Sequence, residues 1–154
     1  MQREIITVRH GQAYNTVEPD GERAVADPAN PPLTPLGERQ AAAAAQVTAL
    51  FTPDLVLTSP FLRASETAFA HLELTGGNAV ADVRLSEHFV FEPLAHFGGV
   101  DREDYRARFG DRIAVAPELA TSGPYPGFPE SQASVEARVG GLLTELLART
   151  DWRV

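Results

Sequence analysis

Arg9-His10-Gly11 follows directly on the apolar run Ile5-Ile6-Thr7-Val8, and Asn15 lies five residues beyond His10. A second turn, Ser59-Pro60-Phe61-Leu62-Arg63-Ala64, comes after another apolar run, Leu55-Val56-Leu57. A histidine and an arginine at the end of one strand, with a second arginine after another, are parts that suit phosphoryl transfer. Guanidinium groups bind phosphate oxygens through paired, charge-assisted hydrogen bonds. Two of them neutralise a dianion and orient its phosphorus for in-line attack. A neutral imidazole then attacks and holds the phosphoryl group.

Composition narrows the rest. The chain has 154 residues, 44% of them hydrophobic, enough for one domain with its own core. No apolar run approaches the roughly 20 residues needed to span a bilayer. The opening Met1-Gln2-Arg3-Glu4 has no signal-peptide layout, and cysteine is absent, which excludes disulfides and thiolate chemistry. The expectation is a cytoplasmic protein that does not use membranes. The net charge of -8 argues against nucleic acid as a partner. All thirteen basic residues are arginine, so Schiff-base chemistry and a P-loop lysine are excluded.

The elements that must position these groups read as alternating strands and helices. Residues 4–9 read as a short, buried, β-branched strand. Residues 11–33 are a long polar loop, and such loops inside compact domains are usually functional or mobile. Thr34-Pro35 opens a helix to about Phe51, with Thr34 as N-cap and Pro35 at the first helical position. Residues 54–58 are a second buried strand. Ser59-Pro60 repeats the cap-plus-proline start of a helix to about Leu74. Residues 79–83 are a third strand, and 84–130 are less regular, with a short helix near 101–109. In the last helix Val135, Val139, Leu142, Leu143, Leu146 and Leu147 share one face. This alternation predicts a three-layer α/β/α sandwich with a mainly parallel sheet. Ligands of such sheets sit beyond the carboxyl ends of the strands, where Arg9, His10 and Arg63 fall.

The joint pattern is strand, Arg9-His10-Gly11, then Leu33-Thr34-Pro35-Leu36-Gly37-Glu38-Arg39-Gln40-Ala41, strand, and Ser59-Pro60-Phe61-Leu62-Arg63-Ala64. In this the chain resembles the histidine phosphatase superfamily, which includes phosphoglycerate mutases and many phosphatases. Glu130-Ser131, with Val135 and Arg138, resembles the family's segment opening the last crossover helix. The resemblance implies that His10 is the phosphorylated nucleophile and that Arg9 and Arg63 bind phosphate. Many members have asparagine six residues after the nucleophile, where this chain has Thr16; Asn15 is then the candidate phosphate ligand. It also implies a glutamate acid after the third strand. Glu87 is the first candidate and Glu92 the second. A carboxyl beside a dianionic phosphate has its pKa raised, which suits an acid that later activates water.

The family's second histidine lies on a strand after the final helix, and this sequence ends at Val154 before such a strand. The expectation is a single domain over 1–154 that is C-terminally incomplete. Losing a preorganised donor of this kind costs on the order of 100- to 1000-fold in rate. His88 and His96 are conceivable substitutes, but a packed or solvated loop histidine is the better default for each. His71 lies within a helix and has no motif support. The leading expectation is a phosphomonoester hydrolase acting on a small phosphorylated substrate, with no metal or organic cofactor. The alternatives are a mutase-type phosphotransferase and a silent phosphate-binding module.

Overall fold

The computed structural model describes residues 4–16, 27–115 and 125–149. Among these residues three short strands form one parallel sheet in the order β1-β2-β3: β1 Leu57–Thr58, β2 Ala79–Ala81 and β3 Ile113–Val115. Leu57 pairs with Val80, and Ala79 with Ile113. Among the described residues four α-helices accompany them: α1 Pro35–Thr48, α2 Leu62–Thr75, α3 Arg102–Phe109 and α4 Gln132–Ala148. The mixed α/β architecture with a parallel sheet is the one the alternating pattern predicts.

The main core lies where α2 and α3 meet the sheet. Leu72 of α2, Ala79 and Ala81 of β2, Tyr105 and Phe109 of α3 and Ile113 of β3 are buried together. Val80, between the two buried alanines, points the other way and is 39% exposed. The α1 helix packs along α2, and its small buried residues Ala41 and Ala45 permit the close approach. A third cluster gathers Phe61, Phe89 and Leu94, flanked by Phe97 and Tyr125.

Local chemistry explains most boundaries. Thr34 caps α1 as its sequence predicts, its hydroxyl accepting from the Gly37 N–H at 3.1 Å with Pro35 next. Asp101 caps α3 by accepting from the N–H groups of Glu103 and Asp104. Gly76 ends α2 at φ 79°, a left-handed position that glycine takes without strain.

Several expectations are corrected. Residues 4–9 form no β-ladder among the described residues; Ile5, Ile6 and Val8 are 53%, 43% and 50% exposed. β-branched composition favours a strand, but a ladder needs a neighbour, and no described strand lies beside this run. The α2 helix starts at Leu62 rather than at Ser59-Pro60, with Phe61 in the cap position. Its first free N–H, on Leu62, donates instead to Asn30 Oδ1 at 2.7 Å, a cap supplied from a distant loop. The strands expected over 54–58 and 79–83 shorten to 57–58 and 79–81. Asp82 stops the latter by accepting from Arg84 N–H and opening a 3-10 turn over Val83–Leu85. The α4 stripe divides: Leu142 is buried, whereas Leu143 and Leu147 are 41% and 57% exposed. The strand β3 lies inside the stretch read as irregular. The part of the 11–33 loop at 17–26, the part of the less regular 84–130 stretch at 116–124, and the tail 150–154 lie outside the described residues.

Candidate active site

Gly11 and Gly37 hold the nucleophile segment against α1. A Cβ on Gly37 would sit 2.0 Å from the Gln12 carbonyl oxygen, and one on Gly11 would sit 2.4 Å from the Gly37 carbonyl oxygen. Only glycine at both positions lets the two backbones approach so closely. Hydrogen bonds complete the seam. Thr34 N–H donates to the Gln12 carbonyl at 2.9 Å, Gln12 N–H to Gln40 Oε1 at 2.8 Å, and the Thr34 hydroxyl to Gln12 Oε1 at 2.8 Å. Ala13 forms an isolated antiparallel bridge with Leu33, whose N–H donates to Glu66 Oε2 on α2 at 2.7 Å. Gly11 N–H donates to the Thr67 hydroxyl of α2 at 3.1 Å. Thr67 lies one helical turn beyond Arg63 and donates to its carbonyl at 2.8 Å, so that face of α2 meets His10.

His10 is half-buried, with Nδ1 2.7 Å from the Gly11 carbonyl oxygen. A carbonyl only accepts, so Nδ1 carries the proton, and the neutral ring keeps its lone pair on Nε2. The pKa of His10 is lowered, first by burial and then by the charges of Arg63 and Arg9. The Gly11 hydrogen bond and the Glu87 charge oppose that shift. The field of all three predicted charged groups therefore reaches the imidazole.

Arg63 is 2% exposed. Its Nη2 donates to Glu87 Oε2 at 3.3 Å, and its guanidinium carbon lies 4.6 Å from the Phe61 ring centroid. Burial lowers its pKa, and Glu87 opposes the shift. Nε and Nη1 are buried with no hydrogen-bond partner. Unpaired donors on a buried cation cost several kcal/mol, so an anion is the partner they fit.

The structure thus gathers His10, Arg63 and Glu87, with Arg9 close enough to act on His10. Arg9 itself is exposed. Asn15 is exposed on the 3-10 turn Tyr14–Thr16, and no described hydrogen bond joins its side chain to the other four. Glu92 opens the 3-10 turn Glu92–His96, is exposed and does not pair with Arg63. His88 Nε2 donates to the Glu130 carbonyl at 2.9 Å, which makes it a packed loop histidine. His71 is buried against the Thr48 hydroxyl at 2.8 Å, and His96 is exposed. Among the described residues no three His, Asp or Glu side chains cluster as a metal site would require.

Sequence reasoning missed the support beneath Glu87. Arg138 and Glu130 form a buried ion pair whose Nε–Oε1 distance is 2.8 Å, with side chains 13% and 1% exposed. Hydrogen bonds from Arg138 hold the Glu130 carboxyl far below its usual range, at a pKa of about 2, while desolvation opposes them. The sequence signal was there, in the spacing from Glu130 to Arg138 across the start of α4. The carbonyls that Arg138 grips have no sequence signature.

Known proteins resemble this chain in sequence and fold. The histidine phosphatase superfamily (branch 1) matches residues 5–154. A glucosyl-3-phosphoglycerate phosphatase of Mycobacterium tuberculosis is 35% identical over 149 residues, covering 95% of this chain and 61% of the relative. A mannitol-1-phosphatase of Eimeria tenella is 44% identical over 71 residues, covering 42% of this chain and 23% of that one. A solved mycobacterial glucosyl-3-phosphoglycerate phosphatase with VO3 is 32% identical at a TM-score of 0.56, covering 92% of this chain and 66% of that one. The chain spans about three-fifths of the length of the mycobacterial relative. With the matched residues running from the apolar segment before Arg9 through α4, the chain belongs to the histidine phosphatase superfamily, branch 1.

Proposed function

We propose that this chain hydrolyses phosphomonoesters through a phosphohistidine at His10. The supporting observation is the pair of unpartnered, buried Arg63 donors beside a neutral imidazole with a free Nε2. Nε2 forms a bond to phosphorus as the bond to the ester oxygen breaks. Arg63 and Arg9 hold the phosphoryl oxygens, and Asn15 adds a donor. Glu87, protonated, gives its proton to the departing alkoxide, and an alcohol leaves. The resulting carboxylate takes a proton from water as that water attacks phosphorus, and Nε2 departs with its lone pair restored.

For substrate class we take small, hydroxyl-rich phosphate esters. The relatives named for glucosyl-3-phosphoglycerate and mannitol 1-phosphate support that choice. A second reading is phosphate binding without turnover, because the unpartnered Arg63 donors would hold a phosphate whether or not His10 attacks it. Phosphate release from p-nitrophenyl phosphate separates the two. Hydrolysis predicts release that His10→Ala abolishes. The binding reading predicts no release and phosphate affinity that depends on Arg63. Transfer of the phosphoryl group to an added alcohol, with no free phosphate, would mark a mutase-type enzyme instead.

A further inference from the structure

We infer that Arg138 is a positioning residue for Glu87, and that it sets where the acid's carboxyl group stands relative to Arg63 and His10. This deepens the hydrolase reading and depends on it. The segment after the Val83–Leu85 turn belongs to no helix or strand until Glu92. Its backbone groups must find partners elsewhere. Arg138 supplies them. Nη1 donates to the carbonyls of Arg84 at 2.8 Å and Ser86 at 2.9 Å, and Nη2 to the carbonyl of Glu87 itself at 3.2 Å. The remaining donors go to Glu130: Nε to Oε1 at 2.8 Å and Nη2 to Oε2 at 3.0 Å. Every N–H of the guanidinium fork is used.

Glu130 fixes the other side of the same segment. Its Oε2 accepts from Phe89 N–H at 3.3 Å, its own N–H donates to the Phe89 carbonyl at 2.8 Å, and its carbonyl accepts from His88 Nε2. Ser134 Oγ, on the first turn of α4, donates to Glu130 Oε1 at 2.9 Å. The backbone of Glu87 is therefore anchored from α4, while its side chain, 38% exposed, reaches Arg63 on α2 with its carboxylate. Without the fork, that carboxylate loses its fixed origin. Lysine cannot replace it, because one ammonium cannot serve three carbonyls and a carboxylate in a plane.

The test compares two esters hydrolysed by the full chain. A nitrophenolate leaves without a proton, whereas the alkoxide of glycerol 1-phosphate needs one, so only the alkyl ester reports on the acid. Glu87→Gln is expected to lower kcat/KM, which covers only the steps up to release of the alcohol and not the later attack of water, by about 100-fold on glycerol 1-phosphate and by far less on p-nitrophenyl phosphate. Arg138→Lys is expected to show the same selective loss in kcat/KM, about 10-fold, with kcat/KM for the aryl ester little changed. A purely structural role would lower both substrates together. Equal losses, or none, with Arg138→Lys while Glu87→Gln remains selective would overturn the positioning role alone. If Arg138→Lys does not fold, Ser134→Ala decides, with a smaller selective loss expected and no selective loss contradicting the inference. If Glu87→Gln is not selective, or the unaltered chain hydrolyses neither ester, the hydrolase reading fails first and takes this inference with it.

Discussion

The two sides of the site are held by different physics. On the nucleophile side, Gly11 and Gly37 bring two backbones into contact, and neutral hydrogen bonds from Thr34 and Gln12 lock the seam. On the acid side, a buried ion pair between Glu130 and Arg138 organises a segment without secondary structure. The first arrangement tolerates pH but not a methyl group. The second does not tolerate the loss of a charge. A site built this way fails on the acid side first when the medium turns acidic, and on the nucleophile side first when its backbone contact is crowded.

The largest effect is expected at the ion pair. Glu130→Ala leaves Arg138 buried without its carboxylate and should destabilise the protein by about 3–5 kcal/mol in denaturant titration. The pH dependence has a definite sign. The folded pKa of Glu130 is depressed from 4.5 to about 2. The corresponding stabilisation, on the order of 3 kcal/mol, is fully present above pH 4.5 and disappears as pH falls from there toward 2. Glu130→Gln should remove most of that acid-dependent slope. An unchanged slope would show that the pair is not the acid-labile part.

Crowding the other side is expected to cost less. Gly37→Ala should lose about 1–3 kcal/mol, with no added dependence on acid, because the new Cβ meets backbone rather than a flexible side chain. Thr34→Ala removes the α1 cap and the bond to Gln12 and should cost about 1 kcal/mol. Ile6→Thr, in the exposed run before Arg9, should stay within about 0.5 kcal/mol. A much larger loss there would mean that this run is covered in solution.

Activity should follow the nucleophile rather than the ion pair above pH 4.5. The attacking form of His10 is neutral, and burial with Arg63 and Arg9 lowers its pKa from 6.5. The acid limb of kcat/KM should therefore lie below pH 6.5. Arg63→Gln should move that limb upward while weakening phosphate binding.

Much of this site could be read from local sequence. Thr34-Pro35 declares the start of α1 because capping and proline chemistry are local. His10, Arg63 and Glu87 were identified in the sequence, and the fold brings them together. What could not be read depends on distant partners. The cap of α2 comes from Asn30, and β3 exists because Ala79–Ala81 offers it a ladder. The run at residues 4–9 has the composition of a buried strand but lacks a neighbour among the described residues. Arg138 was legible as part of the motif that opens α4, but its role at Glu87 shows only once its three carbonyl partners are seen.

The most direct measurement is a rapid acid-free quench of the full chain with an excess of p-nitrophenyl phosphate, followed by peptide mapping for phosphohistidine. The account predicts an acid-labile, base-stable phosphate on His10 that His10→Ala eliminates and Arg63→Gln strongly reduces. Release of nitrophenol with no phosphate on His10, or with phosphate on another residue, would contradict it.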